Sequence, residues 1–237
     1  MEQRVSIVEG KKPFILIAPS GPNDVNTDLL TEILANKLNS YAVINWGWER
    51  STKIDYLKGK ADCNNTDHYF LPNTTNISGL VYEEFLEPII RFKNRILRSS
   101  GQYRQTVYQF IIQGVSGNDL PPNIDVVIGD GSPHNTCEQW LSKIFIYMAN
   151  VEGLKAHIAK SGSVLAGSYK THLNRYFSHQ QNSVQSMQIE ISLRLRKNTT
   201  DIDILTDFLT KSIDHLNNIN EIQAKAILPN DYKPKVY

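Results

Sequence analysis

Apolar residues along this chain fall into short continuous runs that alternate with helical stripes. "PFILIAP", Pro13 to Pro19, is a continuous apolar run of the length and kind that suits a strand buried on both faces. Leu29, Leu30, Ile33, Leu34 and Leu38 then recur at helical spacing. "YAVINW", Tyr41 to Trp46, reads as the next strand. Val81, Phe85, Ile89, Phe92 and Ile96 place one stripe on a helix, with Gly101 as its stop. Pro88 inside that stripe predicts a kink or a break into two helices. "TVYQFIIQG" and "IDVVIGDG" are two more strands, Cys137 to Met148 is helical, and Thr200 to Leu216 forms a last helix. Its buried stripe is predicted as Ile204, Leu205, Phe208, Leu209, Ile213 and Leu216. Strands alternating with helices predict an α/β protein of three layers: a mostly parallel or mixed central sheet with helices on both faces. Neither an internal repeat nor a linker divides the 237 residues, so the expectation is a single domain.

"SMQIEISLRLR", Ser186 to Arg196, carries the most information of any strand. Met187, Ile189, Ile191, Leu193 and Leu195 alternate with Gln188, Glu190, Ser192, Arg194 and Arg196. Period two puts the first set on one face and the second on the other. The polar set is either a solvent-facing edge or the floor of a polar cleft, and alternation alone leans toward the edge.

Composition narrows the function classes. A formal net charge of +1 gives no long-range pull on a polyanion. One basic run, Arg91, Lys93, Arg95, Arg98 and Arg104, reads better as a solvated helix face than as a nucleic-acid contact. No apolar run reaches the roughly 20 residues of a membrane helix, and "MEQRVSIVEGKK" has no hydrophobic signal core. With only Cys63 and Cys137 there is no disulfide framework, so a reduced, cytoplasmic setting is expected. The sequon-like triplets at Asn73 and Asn198 then carry no meaning. The polar stretch from Glu49 to Ser78 is too long for a simple connection, and loops of that length are usually functional or mobile.

Several segments, taken in order, resemble the N-formylglutamate amidohydrolases and their relatives, the phage-type poly-γ-glutamate hydrolases. "IAPSGPND" resembles the family's first strand-to-turn motif, and "VINWGWER" with "ADCNN" the segment that helps hold substrate. "FIIQGVSG" followed by "DVVIGDG" is similar to the central metal-ligand strand and its successor, and "VQSMQIEISLRLR" to the late strand bearing the catalytic glutamate. The resemblance runs from about Ile15 to Arg196 and leaves 197–237 as a helical C-terminal extension, free to pack on the domain or on a second copy. It implies a zinc-carboxypeptidase-like fold. It also implies a reaction in which zinc and its water attack an amide while a glutamate moves the proton.

Carried over residue by residue, that reaction loses its metal. The family's first histidine falls on Ser20 and the histidine of the central strand on Gln113, while the acidic ligand falls on Asn23 or Asp24. Serine and glutamine are neutral oxygen donors where zinc favours imidazole, thiolate or carboxylate. No zinc is therefore expected; Asp24 and Gln113 are the lesser candidates for a hard cation. Glu190 matches the catalytic glutamate. Ser20, Asp24, Asn64, Gln113, Gln188 and Arg194 are predicted to line a remnant cleft. Asn65 stands where the family has an arginine, and Arg50 or Arg175 is the alternative cation. Two other arrangements are open: a zinc set from Cys63, His68, His134 and Cys137, and a Ser20 nucleophile, for which no base can be named.

The reading that follows is a degenerate amidohydrolase-like protein binding a small carboxylate- or amide-bearing ligand or a protein partner, without zinc hydrolysis. Its competitor is an active amidohydrolase that cleaves an N-acyl or γ-glutamyl-type amide with a relocated or non-zinc metal.

Overall fold

The computed structural model describes residues 3–69, 79–99, 106–115, 120, 123–180, 183–216 and 233–236. Seven strands form one sheet: β1 (Val5–Val8), β2 (Lys12–Ala18), β3 (Ser40–Asn45), β4 (Val107–Val115), β5 (Val126–Gly129), β6 (Ala156–Ile158) and β7 (Val184–Ser192). Their order across the sheet is β1-β3-β2-β4-β7-β5-β6. β1 on β3 and β5 on β7 are antiparallel; the other pairs are parallel. The predicted mixed sheet with helices on both faces is what the structure has.

Strand side chains alternate between two separate cores. Phe14, Leu16, Phe110, Ile112, Met187 and Ile189 pack under α1 (Thr27–Leu38), and the same cluster takes in Phe145 and Phe208. On the other face Ile15, Ile17, Val43 and Ile111 meet Phe85, Ile89 and Phe92. The helix after β3 opens with α2 (Gly79–Val81), widens into a π-helical turn over Tyr82–Leu86, and continues as α3 (Glu87–Ser99). Pro88 accounts for the widening. It has no N–H to give the carbonyl four residues back, and the neighbouring Glu87 N–H bonds to Tyr82 O, five residues back. Gly101 lies outside the described residues.

The remaining helices are α4 (Gln139–Val151), α5 (Leu173–Gln180), a single turn α6 (Leu193–Arg196) and α7 (Thr199–Leu216). α7 packs on the domain itself, its apolar residues joining those of α1 and α4. Ion pairs from Asp214 to Lys12, Asp207 to Lys37 and Lys211 to Glu152 flank it. Leu205, Phe208, Leu209, Ile213 and Leu216 are buried as expected, but the stripe begins at Ile202, and Ile204 is 42% exposed. Beyond it, Val236 bridges to Ile158 and Lys235 O accepts the Ile158 N–H. No helix among the described residues is long and apolar enough to cross a membrane.

Two features set up the site. β2 connects through α1 to β3 on one side, yet pairs with β4 on the other. The chain therefore parts at the carboxyl ends of β2 and β4, the place where open α/β sheets form crevices. β7 is no edge: it lies between β4 and β5, so its polar face is interior.

The α7 assignment is testable. Phe208→Ala should cost about 3–5 kcal/mol of unfolding free energy, whereas Ile204→Ala should change it by less than about 1 kcal/mol, both measured by urea denaturation.

Candidate functional site

Parallel pairing of β4 with β7 sets Gln113 opposite Glu190, and Val127 of β5 flanks Glu190 on the other side. Ser186, Gln188, Glu190 and Ser192, the polar set of β7, are all buried. Gln188 Nε2 donates to Glu190 Oε1 at 2.6 Å. Gly167, at φ +64°, packs directly on Gln188; a Cβ there would lie 2.8 Å from Gln188 Oε1. Glycine suits both the left-handed backbone and the close approach.

The turn after β2 supplies the next carboxylate. Ser20 O accepts the N–H groups of Asn23 and Asp24 at 2.8 and 2.9 Å, which curls the chain toward β4. Asp24 Oδ2 then accepts the Gly114 N–H at 3.0 Å. Asn23 Oδ1 accepts the Arg50 N–H at 2.6 Å and fixes the segment after β3 at the rim.

Arg196 completes the cluster from α6. Its guanidinium donates to Ile191 O at 3.0 Å and to Val25 O at 2.6 Å, with a longer contact of 3.4 Å to Val115 O. It lies over Gly114, where a Cβ would come within 2.3 Å of its Cζ, so only glycine leaves room. These groups border a cleft of about 860 Å³. Its floor and one side are Asp24, Gln113, Gly114, Glu190 and Arg196; Val25, Arg50, Lys160, Val164, Leu165 and Leu193 stand around them.

Burial raises the Glu190 carboxyl to about 8; the negative charge of Asp24 adds to the rise, and Gln188, Arg50 and Arg196 oppose it. Asp24 is also raised, chiefly by burial, against the pull of the Gly114 N–H and the same two arginines.

Asp24, Gln113 and Glu190 come together in the cleft, with Gln188 holding Glu190 from behind. Ser20 is buried inside its turn rather than on the cleft wall, and its Oγ has no hydrogen-bond partner among the described residues. Asn64 is also away from that wall: its carbonyl accepts the Leu173 N–H of α5 at 3.2 Å. Arg194 is a correction. The strand stops at Ser192, and the helical turn that follows swings Arg194 outward to pair with Asp125, its side chain 64% exposed. Arg196 takes the inward place. Arg50 lines the cleft, whereas Arg175 reaches Ser168 O instead. Lys160 and Val164 had no local signal in the sequence.

The alternative zinc set does not assemble. Cys63 belongs to the core on one face of the sheet and Cys137 to the core on the other, while His68 Nδ1 accepts the Asp62 N–H. Among the described residues no group of three or more His, Cys, Asp or Glu side chains could hold a metal ion. Of the basic run, Arg95 pairs with Glu9, Lys93 is buried against the Phe177 ring, and Arg104 lies outside the described residues.

No protein-family model matches the chain, and no curated protein matches it by sequence. Solved structures match it by shape. An N-formylglutamate amidohydrolase from Ralstonia eutropha JMP134 superposes with a TM-score of 0.59 at 13% identity, over 91% of this chain and 99% of that one. The chain has the fold of that amidohydrolase. A gene product from Agrobacterium tumefaciens gives 0.58 at 11% identity, over 92% and 97% of the two chains. A bacteriophage poly-γ-glutamate hydrolase gives 0.52 at 13%, over 93% of each. These are the two hydrolase kinds that the ordered motifs resemble. At such identities the likeness fixes the fold and leaves the chemistry to the residues present.

Those residues do not fit zinc. Ser20 and Gln113, which the resemblance matches to the family's histidines, offer a hydroxyl and a carboxamide, and of the two carboxyls beside them Asp24 already accepts a backbone N–H and Glu190 accepts from Gln188.

Glu190 should make stability fall with pH. Its folded value of about 8 exceeds the ordinary 4.5, so the folded state binds the extra proton across that window. Stability is greatest below about pH 4.5 as far as this group is concerned and declines as pH rises through 8. Glu190→Gln should remove that decline, so the variant gains on the wild type between pH 5 and 9 in urea midpoints, with no gain if Glu190 titrates normally.

Proposed function

We propose that this protein binds a small amino-acid-derived ligand in the cleft at the ends of β4 and β7 and does not carry out zinc-dependent hydrolysis. What carries the reading is the content of the cleft: three cations remain, Arg50, Lys160 and Arg196, while Ser20 and Gln113 stand where the resemblance implies zinc ligands. Against them stand two carboxyls, Asp24 and Glu190, so even with both ionised the cleft has a surplus positive charge. Neither Arg50 nor Lys160 makes an ion pair among the described residues. A carboxylate is the complementary ligand group, and guanidinium is the side chain best shaped to receive one.

An unpaired polar atom in the cleft supports a ligand as well. Gln113, which lines the cleft, has a buried Nε2 with no hydrogen-bond partner among the described residues. Buried polar groups are nearly always satisfied, by protein, by water or by a bound molecule. The amide carbonyl of an N-acylated amino acid offers Gln113 Nε2 an acceptor.

The competing reading is a hydrolase that uses another metal. One observation favours it: the carboxyl of Glu190, which the resemblance matches to the family's catalytic glutamate, is raised to about 8, a value suited to proton transfer near neutral pH.

Calorimetry with N-acetyl-L-leucine and N-acetyl-L-glutamate, and a turnover assay for formate release from N-formyl-L-glutamate with zinc or manganese added, separate the two. The expected result is saturable binding of at least one acetylated amino acid, weakened about tenfold by Arg50→Ala, with no formate released. Formate release abolished by Glu190→Gln would establish the hydrolase instead, and no binding of either compound would remove the binding reading.

A further inference from the structure

Building on that reading, we infer that the ligand is a monocarboxylate with an aliphatic chain, such as an N-acylated leucine, rather than a dicarboxylate of the glutamate kind. The carboxylate meets Arg50 and Lys160, and the chain lies on an apolar wall formed by Val25, Val164, Leu165 and Leu193.

Four features of the cleft converge on this. Val25 and Val164 are 52% and 54% exposed, two branched side chains held in water on the cleft wall. Isolated exposed apolar residues need no explanation, but these two share one cleft with Leu165 and Leu193. Leu165 packs against the buried cluster of Val115, Val127 and Ala166, so the wall continues into the core beneath it.

The wall is also fixed in place. Arg196 Nη1 holds the Val25 carbonyl at 2.6 Å, and Val164 O accepts the Gly167 N–H at 3.0 Å at the close of a short 3-10 turn, Val164–Ala166. A ligand that covers such a surface loses little to ordering the protein.

The rest of the lining then limits the ligand to one carboxylate. At neutral pH burial keeps the proton on Glu190, so Arg50, Lys160 and Arg196 face the single remaining carboxyl of Asp24. Arg196 has already committed its Nε and Nη1 to the Ile191 and Val25 carbonyls. Arg50 and Lys160 are therefore the cations left to receive a ligand. A second carboxylate would have to leave water for the valine and leucine wall, or face Asp24. Both are unfavourable.

The test is a matched calorimetric series at neutral pH: N-acetyl-L-leucine, N-acetyl-L-glutamate and N-acetyl-L-leucinamide, against the wild type, Val164→Asp and Arg50→Ala. The leucine derivative should bind at least tenfold more tightly than the glutamate derivative and at least tenfold more tightly than its amide. Val164→Asp should weaken the leucine derivative at least tenfold, and its carboxylate should repel the glutamate derivative as well. Arg50→Ala should weaken both acids. Val164 is exposed, so unchanged thermal unfolding of its variant serves as the folding control. Equal or tighter binding of the glutamate derivative overturns this assignment and leaves the binding function standing. Undiminished leucine binding by Val164→Asp also overturns it, by removing the wall from the site. Failure of both acids to bind the wild type defeats the assignment together with the function it rests on.

Discussion

The central constraint in this molecule is a carboxyl group buried in the middle of a sheet. Glu190 is 3% exposed on β7, with β4 on one side and β5 on the other. An ionised carboxylate out of water is costly unless charge and hydrogen bonds compensate it. Here compensation comes from Gln188 on the same strand and from Arg50 and Arg196, the cations that act on both Glu190 and Asp24. It is incomplete, which is why the proton stays on Glu190 well above the usual carboxyl range.

The local backbone answers to that cluster. Arg196 reaches it because the strand gives way to a helical turn after Ser192, and Gly114 leaves the space that the guanidinium fills. The Gly114 N–H in turn anchors Asp24, and the Ser20 turn brings Asp24 within reach. Three chain segments far apart in sequence therefore meet at one charge cluster, and its members polarise and position one another. The surrounding fold is a frame; the site depends on which side chains occupy it.

Much of the frame was legible in the sequence because strong periodic signals carry it. The continuous run of β2, the stripe through Phe85 to Ile96 and the break at Pro88 all have local causes. β1 and β6, with four and three residues, are too short to show a period. The alternation of β7 was plain, yet alternation is local and cannot say whether a polar face meets water or other strands; its two neighbours come from distant segments. The arginine exchange has a similar origin. Continuing period two past Ser192 puts Arg194 and Arg196 together, but a helical turn separates them, one to Asp125 and one into the cleft. Lys160 and Val164 reach the site by tertiary folding alone.

The decisive property of the site is whether the region of Ser20, Asp24 and Gln113 holds zinc. Competition calorimetry with zinc and a chelator on the purified protein, beside the double variant Ser20→His with Gln113→His, measures this directly. The predicted result is no zinc binding by the wild type at micromolar concentrations, with measurable binding gained by the variant. One tightly bound zinc per wild-type chain, lost on replacing Asp24, would contradict it.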